Sequence, residues 1–343
     1  MLLTAEDLAL FAGCFADNGG ARSPASMRWL YRDNPSGRLY VDFAVPPEGA
    51  GLAAIYATLP VRMRVNGEVR LALQSLDTLT DRAFRGKGLF VSLAKSVFAR
   101  AAADDVAFIY GFPNGSSAPG FFGKLGWERL DPVPFLIRPL RTRYFSSRLG
   151  RVGSKLPDFP LAPSRRRGPR GGAQLVEVDR FDERFTHLWR AFSRDVCVAV
   201  ERDAAYLDWR LVDKPEERYR RLALVEKGVL TSFIAFALKE KHGGRIGYVL
   251  ELLHDKGRES DARWLLGAAV AEMAQQNADA VLAWCLPRAP TFGSYLRSGF
   301  FPLPERLRPI ELHVGTRAFD GTLGPVLRSR RNWYISYLDS DTV

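Results

Sequence analysis

Residue types that support several common chemistries are scarce in this 343-residue sequence. Its three cysteines (Cys14, Cys197 and Cys285) are scattered and lack the spacing of metal ligands. We interpret each as a small buried residue of a protein in the reducing cytoplasm. None of the four histidines has a partner at a spacing that suggests a metal site or a catalytic triad. No Gly-x-Ser-x-Gly segment occurs, so hydrolase chemistry finds no support.

Long apolar runs are also missing. No stretch of eighteen or more apolar residues occurs, so no membrane span is predicted. The first fifteen residues carry Glu6 and Asp7 and lack a basic start, which favours an amphipathic helix over a secretory signal. At 343 residues the chain exceeds what one hydrophobic core usually supports. We therefore expect two domains.

The net charge of +11 is concentrated in one segment. Residues 141–172 hold nine basic residues and one acid, Asp158, so this segment alone carries +8. It is rich in proline, glycine and serine and has no sustained periodicity, which predicts a solvated linker over residues 146–172. The alternative is a surface that attracts nucleic acid, lipid headgroups or a polysaccharide precursor. Because the excess lies in a linker, a nucleic-acid partner is not favoured.

The two halves of the chain repeat each other. Three segments recur in the same order: residues 28–35 at 208–215, 122–127 at 295–300, and 135–138 at 310–313. In the first of these, Trp, Asp and Pro keep identical spacing at an offset of 180 residues. Such internal similarity predicts two copies of one module, 1–145 and 173–343, on either side of the linker.

Periodicity within the first half outlines the module. Strand-like runs cover residues 40–45, 52–58, 61–65 and 69–79, with Asn66-Gly67 as a hairpin turn. From Leu89 the apolar spacing becomes helical and continues to Asp104, and residues 106–112 then form an apolar run typical of a buried strand. A short helix is predicted over 118–125, capped by Ser117. Residues 127–140 are predicted to close the module with more strand.

The most informative stretch is the glycine-rich turn Arg85-Gly86-Lys87-Gly88-Leu89-Phe90. Two glycines let the backbone turn with several N–H groups directed inward, and the helix that follows begins with unpaired N–H groups and a partial positive charge. Such a turn suits a phosphate or pyrophosphate, with Arg85 and Lys87 adding charge. It is neither a Walker A loop nor a dinucleotide fingerprint, which would need glycine at Val91.

The order of these features resembles the GNAT superfamily of acetyl-CoA-dependent N-acyltransferases. The resemblance rests on the strand, the Arg-Gly-Lys-Gly turn, the helix, the next strand with Asn114, and the helix end Lys124-Leu125-Gly126-Trp127. It implies an α+β fold of two tandem GNAT-like domains, each a mostly antiparallel mixed sheet flanked by helices. It also implies that the backbone of Arg85 through Phe90 holds the pyrophosphate of acetyl-CoA or another acyl-CoA. The strand from Leu76 to Leu79 would pair with the pantetheine arm, beside Asn114.

The sequence departs from the family pattern at two positions. Phe90 stands where the family usually has glycine or alanine, and it is expected to crowd the turn. Phe122 stands where many members have a tyrosine that protonates the departing thiolate. In the second half, residues 254–261 replace the turn with one glycine and three carboxylates, which predicts a copy degenerate for cofactor binding. Tyr295 occupies there the position of Phe122.

Two residues near the expected cofactor strand are candidates for acid–base chemistry. Asp77 is suited to accept the ammonium proton of an amine, directly or through water, and Tyr110 to donate a proton to sulfur. Each also has a structural interpretation, Asp77 as a turn or edge carboxylate and Tyr110 as a core residue.

Three functions follow from these patterns. The first is acyl transfer from acyl-CoA to a primary amine of a small molecule or amino sugar, without a metal. The second is a non-catalytic tandem module that binds CoA or a partner. The third is a basic interaction protein that acts through residues 141–172. The sequence does not specify an oligomeric state.

Overall fold

The computed structural model describes residues 3–20, 22–46, 48, 51–146, 157–161, 169, 172–308 and 310–343. Most of the predicted linker, 146–172, lies outside these residues. Within the described part, Arg141 pairs with Asp158 at 2.7 Å, and Arg143 forms an ion pair with Asp279. Two of the nine basic residues are thus neutralised by neighbouring carboxylates.

The helices are α1 (Ala5–Asp17), α2 (Pro24–Tyr31), α3 (Leu89–Ala103), α4 (Ala118–Lys124), α5 (Arg143–Ser146), α6 (Glu183–Phe192), α7 (Ala204–Leu211), α8 (Glu259–Gln275), α9 (Phe292–Arg297) and α10 (Gly324–Leu327). The N-terminal helix α1 begins with a capping box in which Thr4 and Asp7 satisfy each other's backbone N–H groups. In the repeat, Ser23 is the N-cap of α2 and Asp203 the N-cap of α7, and both side chains accept a backbone N–H from the first turn.

The strands are β1 (Tyr40–Ala44), β2 (Ala54–Val65), β3 (Glu68–Thr80), β4 (Phe108–Gly111), β5 (Glu128–Arg129), β6 (Phe135–Pro139), β7 (Gln174–Glu177), β8 (Val198–Val200), β9 (Arg220–Glu226), β10 (Val229–Lys241), β11 (Gly244–His254), β12 (Ala280–Trp284), β13 (Phe301–Pro302) and β14 (Gly315–Ala318). The two runs predicted between residues 52 and 65 are one continuous strand, β2. The hairpin turn between β2 and β3 is confirmed, with Asn66 and Gly67 both at positive φ.

These strands form two mixed sheets of seven strands each. The first has the order β1-β2-β3-β4-β14-β5 with β8 beside β2, and the second has the order β13-β6-β12-β11-β10-β9-β7. Among the strand pairs that the structure describes, only β3 with β4 and β11 with β12 run parallel. Helices flank both sheets. The predicted fold class, two tandem GNAT-like mixed sheets, is confirmed.

The two sheets exchange strands, and β8, from the second half of the chain, pairs antiparallel with β2 of the first sheet. β6, from the first half of the chain, pairs antiparallel with β12 of the second sheet, and β14, from the second half, pairs antiparallel with β4 of the first. The prediction that residues 127–140 close the first module is therefore wrong for β6. The strand patterns alone do not say which sheet a strand will join, because either sheet buries both of its faces.

The exchange also corrects one of the sequence repeats. Residues 135–138 were matched to 310–313, but β6 takes the place in its sheet that β14, at 315–318, takes in the other. The structural offset is thus 180 residues, the same as for the Trp29 and Trp209 segments. Both tryptophans are 4% exposed, so these segments are core elements.

Candidate functional site

A cavity opens where β3 and β4 separate. The two strands pair in parallel through three residues each, ending at Ser75 and Gly111, and then diverge. The resulting strand cavity has a volume of about 270 Å³. Its walls include Leu76, Asp77, Thr78, Phe112, Asn114 and Phe121. A gap between parallel strands at their carboxyl ends is a common place for a ligand in α/β sheets.

An irregularity in β3 lies beside this cavity. The register between β2 and β3 shifts between Ile55 and Ala57, which leaves one extra residue on β3. Asp77 lies in this bulge with φ 46°. An extra residue in a bulge falls outside the regular ladder, so its neighbourhood has backbone groups free for a ligand. Leu76 lines the cavity, whereas Leu79 packs against the hydrophobic core.

The glycine-rich turn has the backbone form that the sequence predicts. Gly86 and Gly88 have φ values of 80° and 78°, and nothing lies within 4 Å of the position where either would carry a Cβ. Gly88 is the residue before α3, and the first N–H that bonds back to its carbonyl belongs to Ser92, at 3.1 Å. Because a helix leaves its first N–H groups without intrahelical partners, those of Leu89 through Val91 are available to an anion.

Two cationic side chains flank this turn. Arg85 and Lys87 are exposed. The Nε of Arg85 donates to the Thr80 carbonyl at 3.4 Å, and the Lys87 Nζ lies 4.7 Å from the centroid of the Phe84 ring. Both charges therefore remain at the surface beside the N-terminus of α3.

Phe90 connects the turn to the strand cavity. Its ring lies 5.2 Å from that of Phe121, edge to face, and Phe121 lines the cavity. A Cβ on Gly120 would come within 2.6 Å of the Phe90 ring. The sequence predicts that Phe90 crowds the turn, but its ring packs against α4, where Gly120 leaves room for it. The turn therefore stays open.

Asn114 shapes the far side of the strand cavity. Its Oδ1 accepts from the backbone N–H groups of Ser116 and Ser117, at 3.1 and 3.0 Å. The predicted N-cap of α4, Ser117, makes no capping hydrogen bond to that helix, and its hydroxyl bonds to Asn114. Asn114 therefore organises the turn between β4 and α4.

A larger central cavity, of about 770 Å³, lies beyond the strand cavity. The two share Ser75, Leu76, Asp77, Phe112 and Asn114. Residues 340–342, at the C-terminal end of the described chain, form another part of the wall of the central cavity.

Of the two side chains that the sequence predicts as acid–base groups, Asp77 is the one that lines both cavities. Its side chain is 3% exposed, forms an ion pair with Arg22, and accepts a hydrogen bond from the Tyr31 hydroxyl at 2.8 Å. Burial raises the pKa of this carboxyl, and Arg22 partly offsets the rise. The group is held in a fixed position and binds a proton more readily than an exposed carboxylate does.

Tyr110 lies deeper than the sequence prediction assumed. It is 2% exposed and lines neither of the two cavities. Its hydroxyl is 3.4 Å from Oε1 of Gln74, which does line the central cavity. Burial raises the pKa of Tyr110 well above its usual value. The structure thus separates Tyr110 from Asp77.

Phe122 also lies outside both cavities. The Arg129 guanidinium lies 4.0 Å from the centroid of its ring, and the His313 ring lies 6.1 Å away. Phe121, the preceding residue, is the aromatic side chain of α4 that faces the strand cavity. In the second half, Tyr295 is 3% exposed and packs against Phe300.

The corresponding turn of the second half is acidic. Gly257 has φ 78°, but Glu259 and Asp261 occupy the first turn of α8. Arg258 forms ion pairs with Glu226 at 2.5 Å and with Asp261 at 3.6 Å. The negative side chains at this helix N-terminus disfavour a second anion there.

Arg22, Tyr31 and Asp341 belong to the candidate site, and no pattern in the sequence predicts them. Arg22 contacts Asp77 and also lies 3.3 Å from Asp341, which is 319 residues away in the chain. No local pattern marks so distant a contact. The segment that carries Asp341 is fixed by Asp339, whose carboxylate accepts from the fully buried Arg202 at 2.7 Å.

None of the helices among the described residues has the length and hydrophobicity needed to cross a membrane. Among the same residues, no three His, Cys, Asp or Glu side chains are grouped in a way that could hold a metal ion.

Comparison with known proteins agrees with this geometry. Residues 5–130 match the acetyltransferase (GNAT) domain. Among curated proteins, none matches the sequence significantly.

Solved structures resemble nearly the whole chain. A probable N-acyltransferase from Enterococcus faecalis V583 has a TM-score of 0.64 at 12% identity, over 93% of this chain and 72% of that one. Saccharomyces cerevisiae N-myristoyltransferase with bound myristoyl-CoA has a TM-score of 0.59 at 14% identity, over 91% of this chain and 80% of that one. A GCN5-related N-acetyltransferase from Anabaena variabilis has a TM-score of 0.61 at 12% identity, over 91% of this chain and 69% of that one. At these identities the likeness is one of fold. Residues 5–130 thus match a GNAT acetyltransferase domain, and more than nine tenths of the chain has a fold similar to that of these solved structures.

Proposed function

We propose that this protein transfers an acyl group from acetyl-CoA or another acyl-CoA to a primary amine of a small molecule or amino sugar. The observation that carries the proposal is the position of Asp77, a buried carboxylate in the shared wall of the strand cavity and the central cavity. The strand cavity would take the thioester, and the central cavity the amine.

The cofactor residues of the proposal follow the strand and the turn. The backbone N–H groups from Arg85 to Phe90 would hold the pyrophosphate, with the charges of Arg85 and Lys87 beside it. The pantetheine arm would run along β3 between Leu76 and Leu79 and pass Asn114. Free backbone groups at the bulge around Asp77 would stabilise the oxyanion that develops at the thioester carbonyl.

Asp77 would accept the proton that the attacking ammonium must lose, directly or through one water molecule. Its raised pKa makes it a better proton acceptor than an exposed carboxylate, and Arg22 and Tyr31 hold it in place. Tyr110 is the candidate donor to the departing sulfur, and because its hydroxyl lies beside Gln74 and lines neither cavity, its proton would have to reach the sulfur through an intervening group. A thiolate with a pKa of about 8.5 is also able to leave without an acid when the field of the helix stabilises it.

The second half of the chain would shape the acceptor side and would not bind cofactor. Support comes from the acidic first turn of α8 and from β6, through which the first half is built into the second sheet. The three cysteines are free thiols, as we expect for a protein of the reducing cytoplasm.

The test compares Asp77→Asn and Tyr110→Phe with a matched control. Asp104→Asn alters another carboxylate that accepts from a tyrosine, Tyr40, at 2.9 Å, and it lies outside both cavities. We expect Asp77→Asn to reduce thiol release with an amine library by at least about a hundredfold. The variant should still bind acyl-CoA, and Asp104→Asn should behave like the wild type. Unchanged turnover in both Asp77→Asn and Tyr110→Phe would show that these two residues are not the acid–base groups of the reaction.

The alternative is a non-catalytic module that binds CoA or a partner, since the usual tyrosine is Phe122. The same assay separates the two functions. Binding of acyl-CoA by the wild type without thiol release, whatever amine is supplied, would favour the non-catalytic module.

A further inference from the structure

A third cavity adjoins the central one. This distal cavity has a volume of about 400 Å³ and shares Arg22, Asp341 and Thr342 with the central cavity. Its other walls come from α2 and from the second half of the chain, including Lys214 and the end of β10. An acceptor whose amine lies at Asp77 and whose far end extends past Arg22 would therefore enter the distal cavity.

The inner wall of the distal cavity has more positive than negative charge. Three cations surround the single carboxylate of Asp341: Arg22 at 3.3 Å, Arg210 at 3.5 Å and Lys214 at 3.7 Å. These cations hold the pKa of Asp341 at about 2 despite its burial. The Lys214 ammonium, in turn, has a pKa lowered to about 8 by burial and by Arg210. Arg22 also pairs with Asp77, and Lys214 donates to the Val343 carbonyl at 3.0 Å, so two carboxylates face these three cations and one positive charge remains in excess.

The end of β10 adds two further cations, Lys239 and Lys241. Lys239 is neutralised by an ion pair with Glu217, whereas the Lys241 ammonium donates to the uncharged carbonyl of Thr342. Residues two apart on a strand face the same side, so both ammonium groups approach the same wall.

The remaining acids of the distal cavity lie at its rim. Glu240 is 74% exposed and lies 3.6 Å from Arg245, and Glu216 is exposed. Lys241 is exposed as well, so the excess of positive charge lies at the inner wall around Lys214, with Lys241 at the rim, while the central cavity presents Asp77 and Glu311.

From this arrangement we infer that the acceptor is bipolar: its primary amine is received at Asp77, and a carboxylate or phosphate group at its other end binds in the distal cavity at Lys214 and Lys241. The inference rests on the proposed acyl transfer and specifies its substrate class. An anion there would supply the negative charge that balances the excess positive charge of the three cations around Asp341. A neutral or purely cationic amine would leave that charge unbalanced.

The test uses acceptor pairs that differ only in the anion: aminohexanoate against hexylamine, and glucosamine phosphate against glucosamine. The first pair reports on a carboxylate and the second on a phosphate. The wild type should use the anionic member of at least one pair with a lower KM. In Lys241→Met the KM of that member should rise about tenfold, equivalent to roughly 1.4 kcal/mol, while kcat and the KM of the neutral member stay unchanged. Lys95→Met, on the exposed face of α3, is the matched control.

Calorimetry with the same four compounds and CoA decides the inference even if no turnover is found. Binding of an anionic member that Lys241→Met weakens, and that Lys95→Met does not, supports the anion subsite. Equal use or equal binding of anionic and neutral members by the wild type overturns it, and so does an equal effect of Lys241→Met on both. If the proposed acyl transfer itself is wrong, no amine will release thiol, and this result is distinct from those for the anion subsite.

Discussion

The indoles of Trp29 and Trp209 stack on each other, with ring centroids 4.6 Å apart and an interplanar angle of 15°. Each indole N–H donates to the backbone carbonyl of the other residue, at 2.8 and 3.1 Å. The two residues occupy equivalent places in the repeat, 180 positions apart, so the contact is reciprocal. The copies therefore meet through the same residue on each side, in the manner of a two-fold interface within one chain.

A double-mutant cycle should detect this reciprocity. Trp29→Phe and Trp209→Phe each lose one indole donor and leave a buried carbonyl without its partner, and each should lower the free energy of unfolding by about 2 kcal/mol. Because both act on one stacked pair, the double variant should depart from additivity by about 1 kcal/mol. Urea unfolding measures these values. Trp29→Phe combined with Trp127→Phe should be additive, because Trp127 packs in a separate group of buried side chains that includes Phe98 and Phe121.

The strand exchange predicts that neither half folds alone. Residues 1–161 lack β14 between β4 and β5, and residues 172–343 lack β6 between β12 and β13. Each sheet would then lose a strand with paired neighbours on both sides and expose its edges. We expect cooperative thermal unfolding only when the two fragments are mixed or produced together. A fragment 1–161 that unfolds cooperatively and binds acyl-CoA by itself would contradict this, and would favour the domain limits 1–145 and 173–343.

Gly88→Ala tests the turn without changing any charge. The residue has φ 78°, so alanine is strained there by about 1 kcal/mol. Gly67→Ala is the matched control, because Gly67 has φ 90°, equally open surroundings, and a place in the hairpin turn away from α3. Both variants should lose similar stability, but only Gly88→Ala should weaken binding of CoA in calorimetry. Equal affinities in the two variants would count against the turn as a ligand site.

Asp341→Asn should lower stability in a way that depends on pH. The carboxyl has a pKa of about 2 in the folded protein and 3.8 as its ordinary value. A depressed pKa stabilises the fold above the ordinary value, and this contribution is lost as the pH falls towards 2. The difference between wild type and variant should therefore be about 2 kcal/mol at pH 7 and should shrink between pH 4 and pH 2. Asp33→Asn, half exposed and 3.7 Å from Arg28, should show little change.

Local patterns in the sequence predict the elements and the residues of the proposed cofactor site. The change from strand to helical spacing at Leu89, the two glycines before it and the hairpin at Asn66 all depend on neighbouring residues. The structure has the corresponding turn and helix at those positions. The same holds for the repeat around Trp29 and Trp209.

The proposed acceptor side could not be predicted from the sequence, because long-range contacts form it. Arg22 reaches Asp77 across 55 residues and Asp341 across 319, and neither interval leaves a periodic signal. The sheet that each of β6 and β14 joins could not be predicted either, because both strands carry apolar patterns that fit either sheet. The chemistry of Tyr110 predicts a proton donor, but its burial in an apolar run places it behind Gln74.

The most direct test of the central claim is amide hydrogen exchange of the intact protein with CoA and with pantetheine. Pantetheine keeps the thiol arm and lacks the diphosphate. We predict that CoA slows exchange at residues 85–91, where helix N–H groups have no backbone partner, and that pantetheine does not. Protection that is absent from 85–91 with CoA, or that pantetheine reproduces there, would contradict a diphosphate site at the start of α3.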